Sequence, residues 1–485
     1  MIPESEARDR EAPCLVALVM LATVAVAAVW FPVLLSFSHL EINTNEGWNA
    51  YRQKMAADGV PLYGSAPQFT VTNYPPLSFH FIGLLGKLNG DVVQAGRMVS
   101  LVSILLIALL IAAMVRRLAG KWQAGAYAAL SWVMWLGLFQ PDRIGMNDPQ
   151  LLATVLSLLG VWAYLRGAGS NAWLCGSAVV FVVSLFTKHN LLAFPLAVGA
   201  HLLWTREFRR FAVWAGVAAA TAGVLVLAVL KVDGPFFFAH LLTGRPYSYG
   251  HELASAARYL SVLQIPAAVA AVWAVWSWKT PERRLLALAL VAAHAIAFAF
   301  CGGYGVDYNI FFDCILADVM ILGVAASDVM QAAQNWNWGE IALTAALVVP
   351  LAGAAAFLPD RMMRDVQGAR SIPHEEDDFA QAVAYVAGRP GRVYCNDLLI
   401  CFEAGKPEEM MTYFVSSQLG TGKLPEADVK NLIDTYRFNT IELRASGKNV
   451  VEPGQWMGGV AKDIGERYRV GLYSGGFALL IPATE

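Results

Sequence analysis

Long apolar blocks divide this chain and leave it few ways to fold. They fall at about 14–37, 98–115, 122–140, 149–165, 172–187, 190–204, 211–231, 259–278, 285–301, 308–327 and 340–358. Most approach the roughly 20 residues that carry a helix across a bilayer. Lipid offers no water to backbone N–H and C=O groups, so such blocks satisfy them internally, as helices. Roughly eleven spans follow. One local ambiguity remains: only Lys188-His189 separates the short runs at 172–187 and 190–204, which read either as a tight hairpin or as one broken element. Composition agrees. Only 15% of residues are charged and the mean hydropathy is +0.49, against about 25% charged in soluble chains. A formal net charge of −2 supplies no basic field for nucleic acid. The expected fold class is a polytopic all-α membrane protein, with a small α/β domain at its C-terminal end.

The first apolar run, Cys14 to Phe37, is too long for a signal peptide, and no A-x-A-like site follows it closely. It reads as a retained first transmembrane helix. With the N-terminus inside, one set of connections carries Arg8 and Arg10; Arg116, Arg117 and Lys121; Arg166; Arg206, Arg209 and Arg210; and Lys279, Arg283 and Arg284. The opposite short connections carry little: Arg143, Lys188, and Arg245 with Arg258. This is the positive-inside asymmetry, and it lapses only near 328–339. It places outside the cytoplasm the long first loop at about 38–97, the loop at about 232–258, and the chain after about 359. The expected setting is the inner (plasma) membrane of a bacterium.

Two domains are expected: a membrane module over 1–358 and an outer domain over 359–485. The tail opens on the acidic "PHEEDDF", then alternates strand-like runs such as "RFNTIEL" and "YRVGLYSGGFALLIP" with turns, around the helical "EADVKNLIDTY". Cys395 and Cys401 lie in this outer region, where a disulfide and two buried thiols are both compatible with their spacing. No internal repeat, Walker loop or dinucleotide fingerprint occurs.

The first loop begins "HLEINTNEGWNAY". Asn45 suits a helix cap, Glu46 then sits in the first turn, and Trp48, Tyr51 and Met55 follow at helical spacing until Gly59 and Pro61. Beyond the stiff Tyr74-Pro75-Pro76, the stretch Leu77 to Leu88 is too short to span and reads as an interfacial helix. An acidic residue after the first span, "G-x-P-L-Y", "Y-P-P-L", an interfacial helix and Arg97 opening the next span together resemble the GT-C superfamily. Within it, the branch of protein mannosyltransferases and aminoarabinose transferases is the most similar. "PDRIGMNDPQ", "LFTKHNLLAFPLAV" and "GGYGVDYNIFFD" resemble further segments of that family, matching at Arg143, Asp148-Pro149, Lys188, Asn309 and Asp313. The family's D-E pair in the first loop reads Asn45-Glu46 here, so Glu46 is the matching acid.

The resemblance implies sugar transfer from a polyprenyl-phosphate-linked donor, with inversion, to a lipid, glycan or protein acceptor. Such chemistry needs a carboxylate base at the membrane edge, and cations for the phosphate charge that develops as the glycosidic bond breaks. Glu46 is the first choice for the base, and Asp148 either shares that role, orients the acceptor or simply starts a helix. Glu41 reads as a rim residue that could contact substrate. Lys188, Arg143 and Arg245 are the phosphate candidates, with His189, Tyr74 and Asn309 beside them. The loop "HLLTGRPYSYGHE" either closes over the donor or forms an interfacial belt. No cofactor is expected, and no metal, because no His/Asp/Glu cluster has ligand spacing. A lipid or sugar transporter and a non-catalytic envelope-assembly protein are the alternatives.

Overall fold

Every apolar run of the sequence is largely helical, overhanging its helix by three residues at most. The computed structural model describes residues 4–167, 169–278, 280–332, 338–447, 449–451 and 453–484. The side chains of Arg8 and Arg10, Lys279, and residues 333–337, all used in the charge reading, lie outside that description. Helix α1 (Glu4–Leu35) leads into the first loop, which holds α2 (Asn45–Ala57) and α3 (Leu77–Asn89). There follow α4 (Val92–Ala119), α5 (Trp122–Phe139), α6 (Gln150–Arg166), α7 (Asn171–Thr187), α8 (Ala193–Trp204), α9 (Phe208–Val232) and the short α10 (Phe237–Leu241). Then come α11 (Tyr249–Trp276), α12 (Pro281–Phe300), α13 (Phe312–Ala332) and α14 (Trp338–Gly388).

Local chemistry fixes the ends. Asp91 caps α4 by accepting from Gln94 N–H at 2.9 Å, and Gly120, at φ +72°, closes it in the left-handed conformation that favours glycine. Among the described residues, six helical segments are long and apolar enough to cross a membrane, in α1, α4, α9, α11, α12 and around α13. Helices α6, α7 and α8 are apolar but shorter, so length does not establish the expected eleven spans. The chain is nonetheless an integral membrane protein by its apolar helices. The short α7 and α8 are two separate helices. The former packs chiefly on α6 and α9, the latter on α12.

Burial divides the bundle. The span around α13 is 89% buried and lies among α4, α5, α11 and α12, whereas α9 is 11% buried and turns its Val224 and Leu227 outward. Lipid tails are as apolar as leucine, so close packing rather than water exclusion holds such helices together. Gly125 serves that purpose: a Cβ there would overlap Ala112 O, so only glycine lets α4 and α5 approach this closely. On the face where α12 begins, Arg283 grips Asp328 with two hydrogen bonds of 2.9 and 2.7 Å, tying α12 to α13.

The C-terminal region holds a small sheet with helices beside it. Strands β1 (Val393–Cys395), β2 (Thr440–Ser446), β3 (Asn449–Val450), β4 (Tyr468–Ser474) and β5 (Phe477–Pro482) form one sheet in the order β1-β2-β5-β4, with β3 paired to β2. The β1–β2 pair is parallel and the others are antiparallel. Helices α15 (Leu398–Glu403), α16 (Thr412–Gly420), α17 (Glu426–Tyr436) and α18 (Gly458–Arg467) accompany it. Cys395 and Cys401 are joined as a disulfide, which decides the question their spacing left open.

The expected boundary at 358/359 falls inside α14, a 51-residue helix that runs unbroken through "PHEEDDF". Contacts on both sides sustain it. Arg361 donates to Ala28 O at 2.9 Å and Trp30 Nε1 to Met362 Sδ at 3.2 Å, while Ser474 reaches Asp378 O and Gln381 further along. The acidic run is a helix face, not a turn.

Candidate active site

Four connections converge at one end of the bundle. The α2 start contributes Asn45, the α2–α3 connection Tyr74, the single turn after α5 Arg143, and the α7–α8 connection Lys188, His189 and Asn190. From the other side come Arg245 and Tyr247 before α11, and Asp307 and Asn309 before α13. They line one cavity of about 380 Å³, whose remaining wall is apolar: Leu192, Leu241, Ile296, Phe300, Val306 and Ile310.

Backbone pairing fixes the second side. Ser248 N donates to Gly302 O at 2.9 Å and Tyr304 N to Pro246 O at 2.8 Å, so the α10–α11 and α12–α13 connections are zipped together. The C-terminal domain holds both. Tyr413 on α16 stacks on Tyr304 with centroids 5.4 Å apart, Gln418 donates to Gly244 O, and Arg245 lies 5.8 Å over the Tyr413 ring. His240 is structural: its Nδ1 accepts from Thr72 N–H and its Nε2 faces Ser65 O at 2.8 Å.

The charges are arranged around Asp148, which is buried below the cavity. Lys188 Nζ donates to Asp148 Oδ1 at 2.8 Å, Arg143 lies 3.6 Å from Oδ2, and Arg143 also pairs with Asp307. Burial alone would raise the Asp148 carboxyl. Lys188 and Arg143 outweigh it and hold the group below the usual carboxylate range. A carboxylate so stabilised is a poor proton acceptor and a good anchor for two cations. Lys188 also lies 4.5 Å over the Tyr74 ring. Burial, with Arg245 and Lys188 beside it, pushes the His189 imidazole down to about 4. It is therefore neutral near pH 7, and its buried Nδ1 and the Asn190 Oδ1 have no partner among the described residues. Arg143 meets the carboxylates of Asp148, Asp307 and Asp142, Lys188 meets Asp148, and Arg245 adds a third cation to the lining. An apolar slot ending in such a cluster suits an anionic headgroup on a hydrocarbon chain.

The same architecture occurs in solved structures. ArnT from Cupriavidus metallidurans bound to undecaprenyl phosphate superposes with a TM-score of 0.57 at 16% identity, over 95% of this chain and 97% of that chain. ArnT from the same organism in the apo state gives 0.58 at 15% identity, with the same coverage of both chains. Residues 73–231 match the family described as dolichyl-phosphate-mannose-protein mannosyltransferase. The fold is the one these ArnT structures share. A search of the curated proteins finds no sequence match.

On this ArnT-like scaffold the expected site residues divide in two. Tyr74, Arg143, Lys188, His189, Arg245 and Asn309 line one cavity, with Asp148 immediately beneath. Glu46 does not line it. Arg97 Nε and Nη2 donate to its two oxygens at 2.9 and 2.6 Å, and Asn147 N–H and Ile42 N–H complete the set, each at 2.8 Å. All four acceptor positions of a carboxylate are thereby filled. The expectation that Glu46 is the base is corrected on this ground: it is fully buried and clamps the loop. Its neighbour Asn45, at the first residue of α2 rather than at its cap, faces the cavity instead. Asp307 is the lining residue that sequence reasoning passed over in favour of Asp313, which is buried at the start of α13.

Glu41 is likewise corrected from a rim residue to a buried one. It meets Arg444 at 3.3 Å, and Arg444 donates to Asp397 at 2.9 Å, while Asp397 N–H donates to Glu442. Nearby, Gly47 lies so close to Leu399 that a Cβ would overlap its backbone, and Arg52 pairs with Glu408. The first loop and the C-terminal domain are thus one packed unit. Burial, then Asp397, raises the carboxyls of both Glu41 and Glu442 well above the ordinary range. A raised folded-state value stabilises fully below the unfolded value of about 4.3 and is lost as pH rises through the folded one. Docking of the domain is therefore expected to be tighter at mildly acidic pH and to loosen toward alkaline pH. Hydrogen exchange of residues 38–44 and 396–398 across that range measures it, and Glu41→Gln flattens the dependence. Unchanged protection from pH 5 to 9 would refute the coupling.

Proposed function

We propose that the protein transfers a sugar from a polyprenyl-phosphate-linked donor to an acceptor at the outer face of the membrane, with inversion. The observation that carries this reading is the convergence of Arg143, Lys188 and Arg245 on one cavity with an apolar wall. The related ArnT structure bound to undecaprenyl phosphate supports the donor class. The outer-face location follows from the positive-inside pattern, which puts the cytoplasm at the opposite end of the helices.

The proposal gives these residues distinct tasks. Lys188 and Arg143, steadied by Asp148, hold the donor phosphate and stabilise the charge it gains as the anomeric C–O bond breaks. Arg245 closes the phosphate site from the loop that the C-terminal domain clamps. Asn45, neutral His189, Asn190 and Asn309 offer uncharged hydrogen-bond partners to the sugar hydroxyls. Tyr74 fixes Lys188 and excludes water from its ammonium.

Mass spectrometry of envelope lipids and glycans in a strain lacking the gene tests the proposal. At least one glycosylated species should vanish and return with the wild-type gene. The purified protein should bind undecaprenyl phosphate. An unchanged envelope together with no such binding would refute it, and substrate uptake into proteoliposomes without glycosyl product would favour a transporter.

A further inference from the structure

A hydroxyl acceptor must lose its proton as it attacks, and the usual first-loop carboxylate is not available for it. Asn45 occupies the cavity-facing position there, and Glu46 behind it has every acceptor site filled. Asp148 is 5% exposed at its side chain, with Oδ1 taken by Lys188 and the Gln150 N–H and Oδ2 turned to Arg143. Asp142 is more exposed but bonds Asn43 and does not line the cavity. Among the described residues, Asp307 is the one carboxylate that does. Its side chain is 35% exposed.

We propose that Asp307 is the general base of this reaction, a deepening that rests on the function proposed above. Its position is built. Oδ1 accepts from Tyr308 N–H at 2.6 Å, which starts the turn leading into α13, and Oδ2 meets Arg143. Its chain segment is held by the zipped connections and by Tyr413 stacked on Tyr304. The acceptor oxygen forms the new bond to the anomeric carbon. The old bond from that carbon to the phosphate oxygen breaks, and its electron pair stays on the phosphate. The hydroxyl proton passes to Asp307 and thence to water. Negative charge so leaves Asp307 as it grows on the phosphate. Arg143 faces both groups, and its attraction transfers from one to the other without moving. The carboxylate displaced from the first loop is thereby replaced from the opposite wall.

The strain lacking the gene provides the test. Wild type restores the missing species, and Asp307→Asn is expected to restore at most a hundredth of it, within the range of about 10²–10⁴-fold for loss of a general base. Purified Asp307→Asn should bind undecaprenyl phosphate at least as tightly as wild type, because a competing anion has gone. Product at the wild-type level with Asp307→Asn would overturn the assignment. Failure of wild type to restore any species would instead sink the proposed function. Should Asp307→Asn not fold, Asp307→Ala in isolated membranes decides: added formate raises its product formation and not that of wild type. No response to formate in folded Asp307→Ala, judged by retained undecaprenyl phosphate binding, would also overturn it.

Discussion

Lys188→Met is expected to weaken undecaprenyl phosphate binding by about 10- to 100-fold and to cut sugar transfer further still. A charge-assisted hydrogen bond contributes about 1.5–3 kcal/mol, which sets the first figure. The second follows because the phosphate gains charge as the glycosidic bond breaks, and removing one preorganised donor there costs about 10²–10³-fold in rate. Methionine preserves much of the stem, so the loss reports the ammonium, which lies 4.5 Å over the Tyr74 ring, and not a hole. Asp148 keeps Arg143 at 3.6 Å as a partner, which limits the structural damage. Lys188→Arg should recover binding better than rate, since a planar fork replaces a compact charge. Titration of the purified variants with undecaprenyl phosphate, beside product analysis in cells, checks both. Wild-type transfer by Lys188→Met would remove the ammonium from the site.

The second large effect lies at Arg97, outside the cavity. Arg97→Met is expected to destabilise the protein by about 3–5 kcal/mol, because it strands the buried Glu46 carboxylate. It also frees the carbonyls of Ser38 and Leu40, to which the same guanidinium donates. The double variant Glu46→Gln/Arg97→Met should be less damaged than the sum of its parts, as expected for groups in contact. Melting of the four proteins in detergent measures that coupling. Glu46→Gln alone keeps the side-chain shape and should retain most transfer activity in the folded fraction. A loss of a hundred-fold or more without a change in melting temperature would return Glu46 to the chemistry.

Much of this was legible in the sequence because lipid imposes a blunt rule. Apolar length marked the long helices of the bundle, and the polar residues near their ends included six that line the cavity. Adjacent positions defeated the reading. Asn45 and Glu46 are consecutive on one helix, so about 100° of rotation decides which of them faces the cavity. The acid drew attention, and the rotation favours the amide. Asp307 sits three residues after Tyr304, whose contact with Tyr413 spans 109 residues of chain. Such a clamp leaves no local trace. The burial of Glu41 has the same origin, since its partner Arg444 lies 403 residues away. The acidic "PHEEDDF" reads as the solvated opening of the tail, and an amphipathic helix satisfies solvent on one face equally well.

The 51-residue α14 imposes a restriction on how this chain can vary. One end is keyed to α1 by Arg361 and Met362, the other to the sheet by Asp378 and Gln381. Each residue inserted between those keys would turn the far end by about 100° and advance it by about 1.5 Å. One added or lost residue would therefore swing the clamp on Tyr304 and Arg245 to another side of the bundle. Only insertions near whole turns, roughly seven or eleven residues, would return the same face, and they would lift it by about 10 Å or more. Apart from Gly368, packed on Phe31, and Glu376, which accepts from His39 N–H, the stretch 363–377 should thus accept substitutions far more readily than any change of length, the reverse of what an exposed linker between two domains would allow.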